Sequence, residues 1–270
     1  MKKLKLAVIG ADVSRSLSPQ IHCFIAEKSG YCVEYDKISV AEGEFDGVAQ
    51  KLFKEYDGFS VTIPYKLRIM RHLERLESDA AVFGAVNTVK CREKSGYNTD
   101  GAGFMLMLEN AGIEVKGKDF LVLGAGGAGR SAVKKLLDGG AGVTVYNRSA
   151  EKTKALANEF NGAIFAGELT NKHYYGIVNA TGVGMGDSVG VSPVGEDLLS
   201  LCEVAVDLIY SPAKTEFLRI AEGLGKRAVN GLAMLFYQAY FAECIFTKTP
   251  YNGERAKQLF EEFKKSFYIR

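Results

Sequence analysis

The chain of 270 residues is long enough for one large or two modest domains with a substantial hydrophobic core. Its 34 Lys and Arg residues against 32 Asp and Glu leave a net charge of +2. This charge argues against a dedicated nucleic-acid-binding protein, because such proteins normally show a strong basic excess. Apolar residues make up 47% and charged residues 24%, a balance that excludes collagen-like, coiled-coil and disordered chains.

The five cysteines are odd in number, scattered, and never spaced as a C-x-x-C pair. We therefore expect no disulfide framework, no metal site, and a reducing cytoplasmic compartment. The first apolar run, 6–9, is too short for a signal peptide. The longest, 231–246, contains Gln238 and Glu243 and falls short of the roughly 20 residues of a membrane span. The sequence thus predicts a soluble cytoplasmic protein without a membrane segment.

Strand and helix signals alternate from the start of the chain. Helix-like patterns, the first of them opened by Pro19, predict helices at 19–28 and 41–56. Apolar runs predict strands at 4–9, 33–40, 58–63 and 85–90. Alternation of this kind is typical of an α/β architecture with a mainly parallel sheet.

A second α/β cycle begins near residue 101. The predicted helices are 102–111, 131–137, 232–246 and 254–267, and the predicted strands are 120–123, 143–146, 176–180 and 204–208. We therefore predict two α/β domains with a ligand cleft between them, because domain interfaces are common sites for pockets.

A glycine-rich turn opens the predicted helix after strand 120–123. Its sequence, Gly-Ala-Gly-Gly-Ala-Gly at 124–129, satisfies G-x-G-x-x-G in the required strand–turn–helix context. Such glycines allow a tight turn and let backbone N–H groups approach a pyrophosphate at the helix N-terminus. The candidate cofactor-binding residues here are Gly124, Gly126, Gly127 and Ala128. The alternative is an ordinary strand–helix turn.

The next strand ends in Asn147-Arg148-Ser149, where NAD sites typically place an acidic residue for the ribose 2′-hydroxyl. No carboxylate is present to repel a 2′-phosphate. Arg148 can pair with that phosphate, Ser149 can donate a hydrogen bond, and Lys152 lies one helical turn further on. The charges therefore favour NADP over NAD as the cofactor. The alternative is that the three residues only cap the following helix.

Two polar clusters in the first half of the chain stand at predicted strand ends or helix starts. Ser16 and Ser18 precede Pro19, and two hydroxyls near a helix N-terminus suit a carboxylate, although capping by Ser18 explains this motif alone. The segment 60–66 alternates polar groups along one strand face and ends in Lys66, which by itself resembles any surface lysine.

Two further polar segments follow. Gly84-Ala-Val-Asn87-Thr is compatible with a plain turn into a strand. Asn98-Thr-Asp100-Gly is compatible with a helix N-cap before the helix predicted at 102–111.

Taken together, these motifs resemble the shikimate dehydrogenases, in which the same motifs occur in the same order. They are S-x-S-P (16–19), V-T-I-P-Y-K (61–66), G-A-V-N-T (84–88), N-T-D-G (98–101), G-A-G-G-A-x-R (124–130), N-R-S (147–149), N-A-T (179–181) and G-x-x-M-L-x-x-Q (231–238). The resemblance extends from about residue 7 to residue 240.

The resemblance implies an NADP-dependent oxidoreductase that interconverts 3-dehydroshikimate and shikimate in aromatic amino-acid biosynthesis. It implies that residues 1–100 plus 231–270 form the substrate-binding, catalytic domain and residues 101–230 a Rossmann-type NADP-binding domain. It also implies a small-molecule substrate as the partner, with no nucleic acid or membrane, and a monomer or homodimer.

The resemblance assigns roles residue by residue. Ser16 and Ser18 would bind the substrate carboxylate, and Lys66 and Asp100 would form the catalytic pair. The remaining substrate contacts would be Thr62, Asn87, Tyr210 and Gln238. Besides the glycine-rich loop and residues 147–152, the cofactor contacts would be Thr181, Gly231 and Met234.

Oxidation of a secondary alcohol by a nicotinamide requires the protein to position the alcohol and to handle one proton. We expect Lys66 to transfer the proton and Asp100 to position Lys66. Which of the two is the formal base stays open, because coupled groups titrate together.

Two departures from the family pattern bear on specificity. Ser60 stands where the family usually has Asn, and the loop 10–15 contains Asp12 where Asn-Pro and His-Ser are more usual. A quinate/shikimate dehydrogenase with broader substrate or NAD use is therefore one alternative. Others are a methylene-tetrahydrofolate type of dehydrogenase and a non-catalytic NADP-binding sensor, which the presence of both Lys66 and Asp100 disfavours.

Overall fold

The computed structural model describes residues 3–268, without the side chains of Ser78, Lys152, Phe267 and Tyr268. Along this range the strands are β1 (Lys3–Gly10), β2 (Cys32–Ser39), β3 (Gly58–Val61), β4 (Arg75–Leu76), β5 (Thr88–Lys90), β6 (Ser95–Tyr97), β7 (Asp119–Leu123), β8 (Gly142–Tyr146), β9 (Ala163–Phe165), β10 (Tyr174–Asn179), β11 (Cys202–Asp207) and β12 (Arg227–Val229). The α-helices are α1 (Ser18–Lys28), α2 (Phe45–Glu55), α3 (Ser78–Phe83), α4 (Asp100–Asn110), α5 (Gly127–Asp138), α6 (Ala150–Glu159), α7 (Glu196–Ser200), α8 (Glu216–Gly223), α9 (Leu232–Thr247) and α10 (Gly253–Tyr268). Short 3₁₀ helices span Glu42–Glu44, Arg68–His72 and Gly186–Ser188.

The chain forms two compact units. One contains the residues up to Gly103 together with those from Phe236 onward, and the other is Phe104–Leu235. The sequence analysis placed the domain boundaries at 100/101 and 230/231. The boundaries of the compact units fall a few residues later along the chain, within helices α4 and α9. The assignment of a substrate role to the first unit and a cofactor role to the second stays a prediction at this point.

The sheet of the first unit has the strand order β2-β1-β3-β5-β6-β4. Strand β1 runs parallel to β2 and β3, but β5 is antiparallel to both β3 and β6, so the sheet is mixed rather than mainly parallel as expected. The four-residue connection between β5 and β6 accounts for the antiparallel pairing of these two strands, because so short a link does not join parallel strands. The core of this sheet includes Phe45, Phe59 and Tyr65, all at most 2% exposed.

The sheet of the second unit has the order β12-β11-β10-β7-β8-β9, and all of its paired strands are parallel. The four strands that the sequence predicted in this region are present as β7, β8, β10 and β11. Strands β9 and β12 were not predicted, since three residues are too few to show a strand period. Buried apolar residues of β7, β10 and β11 pack against α7 and α8.

Strand β3 leaves no room for a side chain at its first residue. A Cβ at Gly58 would lie 2.7 Å from the Val89 carbonyl oxygen and 2.4 Å from the Phe246 ring. Gly47, on the exposed side of α2, has no atom within 4 Å of the same position. We expect Gly58→Ala to lower the free energy of unfolding by about 1–3 kcal/mol through overpacking. We expect Gly47→Ala to raise it by about 0.5–1 kcal/mol through helix propensity.

Urea unfolding of the two variants and the unmodified protein measures both effects. Equal changes in the free energy of unfolding for the two substitutions would contradict the close packing of β3 against β5 and α9.

Candidate active site

Lys66 and Asp100 form a close ion pair in the first unit. The Lys66 Nζ donates to Asp100 Oδ2 at 2.5 Å, and the two side chains are only 13% and 8% exposed. Screening by solvent is weak at such low exposure, so the interaction is stronger than that of a surface pair. The interpretation of Lys66 as an ordinary surface lysine is therefore wrong.

Asn87 joins this pair to two further side chains, those of Thr99 and Gln238. Its Nδ2 donates to Asp100 Oδ1 at 2.8 Å, to Thr99 Oγ1 at 2.9 Å and to Gln238 Oε1 at 3.3 Å. Its Oδ1 accepts from the Thr99 backbone N–H at 2.9 Å, which fixes the orientation of the amide. One buried network thus joins four predicted site residues that are far apart in the chain, namely Lys66, Asn87, Asp100 and Gln238.

The neighbouring residue Tyr65 anchors Lys66. The Tyr65 ring stacks on Phe45 at 4.2 Å, and its hydroxyl donates to the Val40 carbonyl at 2.6 Å. The backbone of Lys66 also accepts a hydrogen bond from Val86 N at 2.8 Å. The lysine therefore extends from a segment that is fixed on both sides, although it follows the end of β3.

Asn98 positions Asp100 at the start of α4. The Asn98 Oδ1 accepts from Asp100 N at 3.0 Å, and Asn98 Nδ2 donates to the Ala85 carbonyl at 2.9 Å. The turn-and-cap interpretation of this motif thus holds for Asn98. The Asp100 carboxylate, in contrast, has both oxygens directed to side chains outside its own helix, Lys66 and Asn87.

The two serines before α1 contact each other. Ser16 Oγ donates to Ser18 Oγ at 3.1 Å and accepts from Ser18 N at 3.2 Å. The interpretation of Ser18 as the helix cap is wrong, because Ser18 is itself the first helical residue and Leu17 occupies the N-cap without a side-chain bond. Thr62 is half-buried just beyond β3. Its methyl group would lie 2.5 Å from a Cβ placed at Gly10.

The glycine-rich loop follows β7 in the second unit. Gly124 has φ +110°, and a Cβ at Gly129 would lie 2.2 Å from the Gly124 carbonyl oxygen, so the fold itself requires both glycines. Gly126 is different. It is the N-cap of α5 with φ −79°, and no protein atom lies within 4 Å of a Cβ placed there. Close packing within the turn therefore requires glycine at 124 and 129 but not at 126.

The N-terminus of α5 suits an anion. Its first turn contains no acidic residue, and no side chain caps it. Unpaired N–H groups at a helix N-terminus bind phosphate oxygens, aided by the helix dipole. Gly127 and Ala128 open the helix at this point, so the loop fits the pyrophosphate of a dinucleotide.

Asn147, Arg148 and Ser149 follow β8 directly. Asn147 Nδ2 donates to the Ser149 carbonyl at 3.4 Å, and Arg148 is exposed. Ser149 stands before α6 and its carbonyl accepts from Thr153 N, so a capping role for this segment stays compatible with the structure. The Lys152 side chain lies outside the described part of the structure.

Thr181 lies beside the glycine-rich loop. Its methyl group is 3.1 Å from the position of a Gly124 Cβ, and its hydroxyl donates to Asn179 Oδ1 at 2.6 Å. Thr181 thus stands at the ends of two adjacent parallel strands, β7 and β10, where ligands bind in sheets of this type.

Tyr210 belongs to the loop after β11, which Asp207 holds in place. The buried Asp207 accepts from Thr215 Oγ1 at 2.6 Å and from Asn179 Nδ2 at 3.1 Å. Burial raises the pKa of Asp207, while these hydrogen bonds act in the opposite direction. Gly231 packs against the same loop, since a Cβ there would lie 2.2 Å from the Leu208 carbonyl oxygen. Met234 follows on α9 and is buried.

Comparison with known proteins gives consistent results. The family model described as "Shikimate dehydrogenase substrate binding domain" matches residues 8–89, and "Shikimate / quinate 5-dehydrogenase" matches residues 106–175. Shikimate dehydrogenase (NADP(+)) of Clostridium perfringens strain 13 is 35% identical, over 96% of this chain and 98% of that protein.

Two solved structures show the same likeness over nearly the whole chain. Shikimate dehydrogenase 1 of Peptoclostridium difficile gives a TM-score of 0.91 at 34% identity, covering 98% of this chain and 99% of that one. Shikimate 5-dehydrogenase of Thermus thermophilus, in complex with NADP(H) and shikimate, gives 0.86 at 35% identity, covering 96% and 99%.

The two α/β units, the dinucleotide loop and the buried Lys–Asp pair define a two-domain α/β oxidoreductase that uses NADP. The chain belongs to the shikimate dehydrogenase family. The predictions of family, fold class, enzyme class and cofactor are confirmed. Between residues 3 and 268, no helix combines the length and apolar character needed to cross a membrane.

The open space at Gly126 predicts a ligand-specific effect. Gly195, the N-cap of α7, has nearly the same backbone conformation and is equally open, so it provides a matched control. We expect Gly126→Ala and Gly195→Ala to lower the free energy of unfolding alike, by about 0.5–1 kcal/mol, because Ala is a poor N-cap. Only Gly126→Ala should weaken NADPH binding, by about tenfold or more, because its methyl group occupies space needed by the pyrophosphate.

Thermal unfolding and a fluorescence titration with NADPH measure the two quantities separately. An unchanged NADPH dissociation constant in Gly126→Ala would contradict the placement of the pyrophosphate at α5.

Proposed function

We propose that the protein catalyses the reversible NADPH-dependent reduction of 3-dehydroshikimate to shikimate, a step of aromatic amino-acid biosynthesis. The observation that carries this proposal is the buried network in which the Lys66–Asp100 pair is bonded to Asn87 and Gln238. This network supplies a proton donor and several fixed polar groups for a polyhydroxylated acid. The similarity to a structure that contains NADP(H) and shikimate supports the same substrate class.

In this proposal the first unit holds the substrate. The hydroxyls of Ser16 and Ser18 bind its carboxylate at the start of α1. The side chains that receive the ring hydroxyls are Thr62, Asn87 and Gln238, and Tyr210 of the second unit also contacts the substrate. Because Asn87 and Gln238 are tied to one another, a substrate hydroxyl meets groups whose orientation is set before it binds.

The proton is handled by Lys66. NADPH, when bound, supplies the hydride that reduces the substrate carbonyl. Lys66 donates a proton to the carbonyl oxygen as that oxygen gains negative charge, and in the reverse direction it takes the proton from the alcohol. Asp100 holds the Lys66 ammonium at one position, and Asn87 holds Asp100.

The second unit holds NADP. The pyrophosphate lies at the N-terminus of α5 against Gly124, Gly126, Gly127 and Ala128. Arg148 pairs with the 2′-phosphate, assisted by Asn147, Ser149 and Lys152, because the position after β8 lacks the carboxylate that would repel it. The residues beside the nicotinamide are Thr181, Gly231 and Met234.

We place this reaction in the cytoplasm, because the five cysteines are scattered and form no C-x-x-C pair, as is usual in a reducing compartment. The partners are the small-molecule substrate and product, with no nucleic acid or membrane, and the active form is a monomer or homodimer.

Absorbance at the nicotinamide band tests the proposed function directly. Purified protein is mixed with shikimate or quinate, each with NADP or NAD, and we expect rapid reduction only with shikimate and NADP. Comparable rates with quinate would contradict the restriction to shikimate and point to Ser60 and Asp12, and comparable rates with NAD would contradict the role of Arg148. NADPH binding without turnover in any combination would favour the non-catalytic sensor.

Lys66→Met tests the proton-transfer step. We expect its turnover number to fall by about 10²-fold or more, with a smaller change in the Michaelis constant for shikimate, because the substitution removes the proton donor. Lys90→Met is the matched control, since Lys90 of β5 is 8% exposed and ion-paired with Glu93 at 3.0 Å. A Lys66→Met protein that folds and turns over normally would refute the role of Lys66.

A further inference from the structure

Tyr35 connects the proposed carboxylate pocket to the middle of the sheet. Tyr35 pairs in register with Leu6 of β1, and Ser60 of β3 pairs with Val8. Leu6 and Val8 are two residues apart on one strand, so Tyr35 and Ser60 lie on the same face of the sheet. The Tyr35 side chain extends from β2 across β1, and its hydroxyl donates to Ser60 Oγ at 3.0 Å.

The same phenol group also contacts α1. Interaction with the Ser18 side chain acts to lower the pKa of Tyr35, and Ser18 Oγ in turn accepts from Ser16 Oγ at 3.1 Å. The hydroxyls of Ser16, Ser18, Tyr35 and Ser60 therefore lie next to one another in a row from the helix N-terminus to β3, with hydrogen bonds at its two ends. Burial raises the pKa of Tyr35 although both serines act to lower it, so the phenol stays neutral beside an anionic substrate.

A buried polar cluster packs against the Tyr35 ring. The ring of His22, which is fully buried, stacks on it with a centroid distance of 4.5 Å. His22 Nδ1 lies 2.5 Å from Glu243 Oε1, and Glu243 Oε2 accepts from the Tyr31 hydroxyl at 2.6 Å. Both oxygens of this buried carboxylate are used, so the position of the stacked rings is fixed.

We propose that Tyr35 is a positioning residue for the substrate carboxylate, because it holds the hydroxyls of Ser18 and Ser60 in a fixed row. The proposal rests on the proposed function, in which Ser16 and Ser18 receive that carboxylate. Tyr35 acts through Ser18 and takes no part in proton transfer. In the proposed function Lys66, in the network around Asn87, transfers the proton.

Tyr35→Phe removes the hydroxyl and keeps the ring on His22. We expect the Michaelis constant for shikimate to rise about tenfold, the turnover number to fall less than about threefold, and the Michaelis constant for NADP to stay unchanged. Because Tyr35 acts through Ser18, the double variant Tyr35→Phe/Ser18→Ala should match Ser18→Ala alone. Tyr56→Phe is the control, since it also removes a tyrosine hydroxyl, one that donates to Asp36 at 2.7 Å.

Steady-state kinetics and thermal unfolding of these variants decide the matter. Tyr35→Phe with an unchanged Michaelis constant for shikimate, whatever its thermal stability, would overturn the positioning role, and so would effects that multiply in the double variant. A variant that loses turnover number alone would also overturn it. If the unmodified protein does not turn over shikimate, the proposed function fails and this inference fails with it.

Discussion

The burial of one lysine against one aspartate is the constraint on which the candidate active site depends. Removing two charges from water is costly, and the cost is offset only where every polar atom finds a partner. Asp100 meets this condition, because one oxygen accepts from Lys66 and the other from Asn87. The anchoring of Tyr65 on Phe45 and the turn at Asn98 hold the two backbones where this pairing is possible.

The fold was predictable wherever a hydrophobic run had full length. Strands β7, β8, β10 and β11 were predicted from their apolar runs, and α9 and α10 were predicted from an amphipathic helical pattern. The antiparallel direction of β5 was missed, because β6 has only three residues and shows no strand period, so the short connection between the two strands was not recognised. Ser18 shows a different limit. The helix starts one residue earlier than predicted, so Ser18 is the first helical residue instead of the N-cap, and its side chain does not cap the helix.

The site residues were predictable to the extent that they stand in short motifs. Lys66, Asn87 and Asp100 were identified in this way, and the structure adds that they touch. Thr99 stands in the same motif, but its bonds to Asn87 and Gln238 depend on chain segments far away in sequence. Tyr35, His22 and Glu243 were missed altogether. The available signal was weak: His22 lies four residues after Ser18, on the same face of α1.

The two groups of hydrogen bonds differ in how much change they allow. In the network around Asn87 an amide, a carboxylate and an ammonium each have a fixed polarity, so exchanging one donor for an acceptor there disrupts its neighbours. A hydroxyl both donates and accepts, and the row from Ser16 to Ser60 consists only of hydroxyls that can reverse their direction. The row of hydroxyls can therefore adapt to a different acid substrate by reversing its hydrogen bonds, whereas the network around the Asn87 amide cannot. An exchange of one hydroxyl in this row should therefore disturb its neighbours less than an exchange of the amide of Asn87.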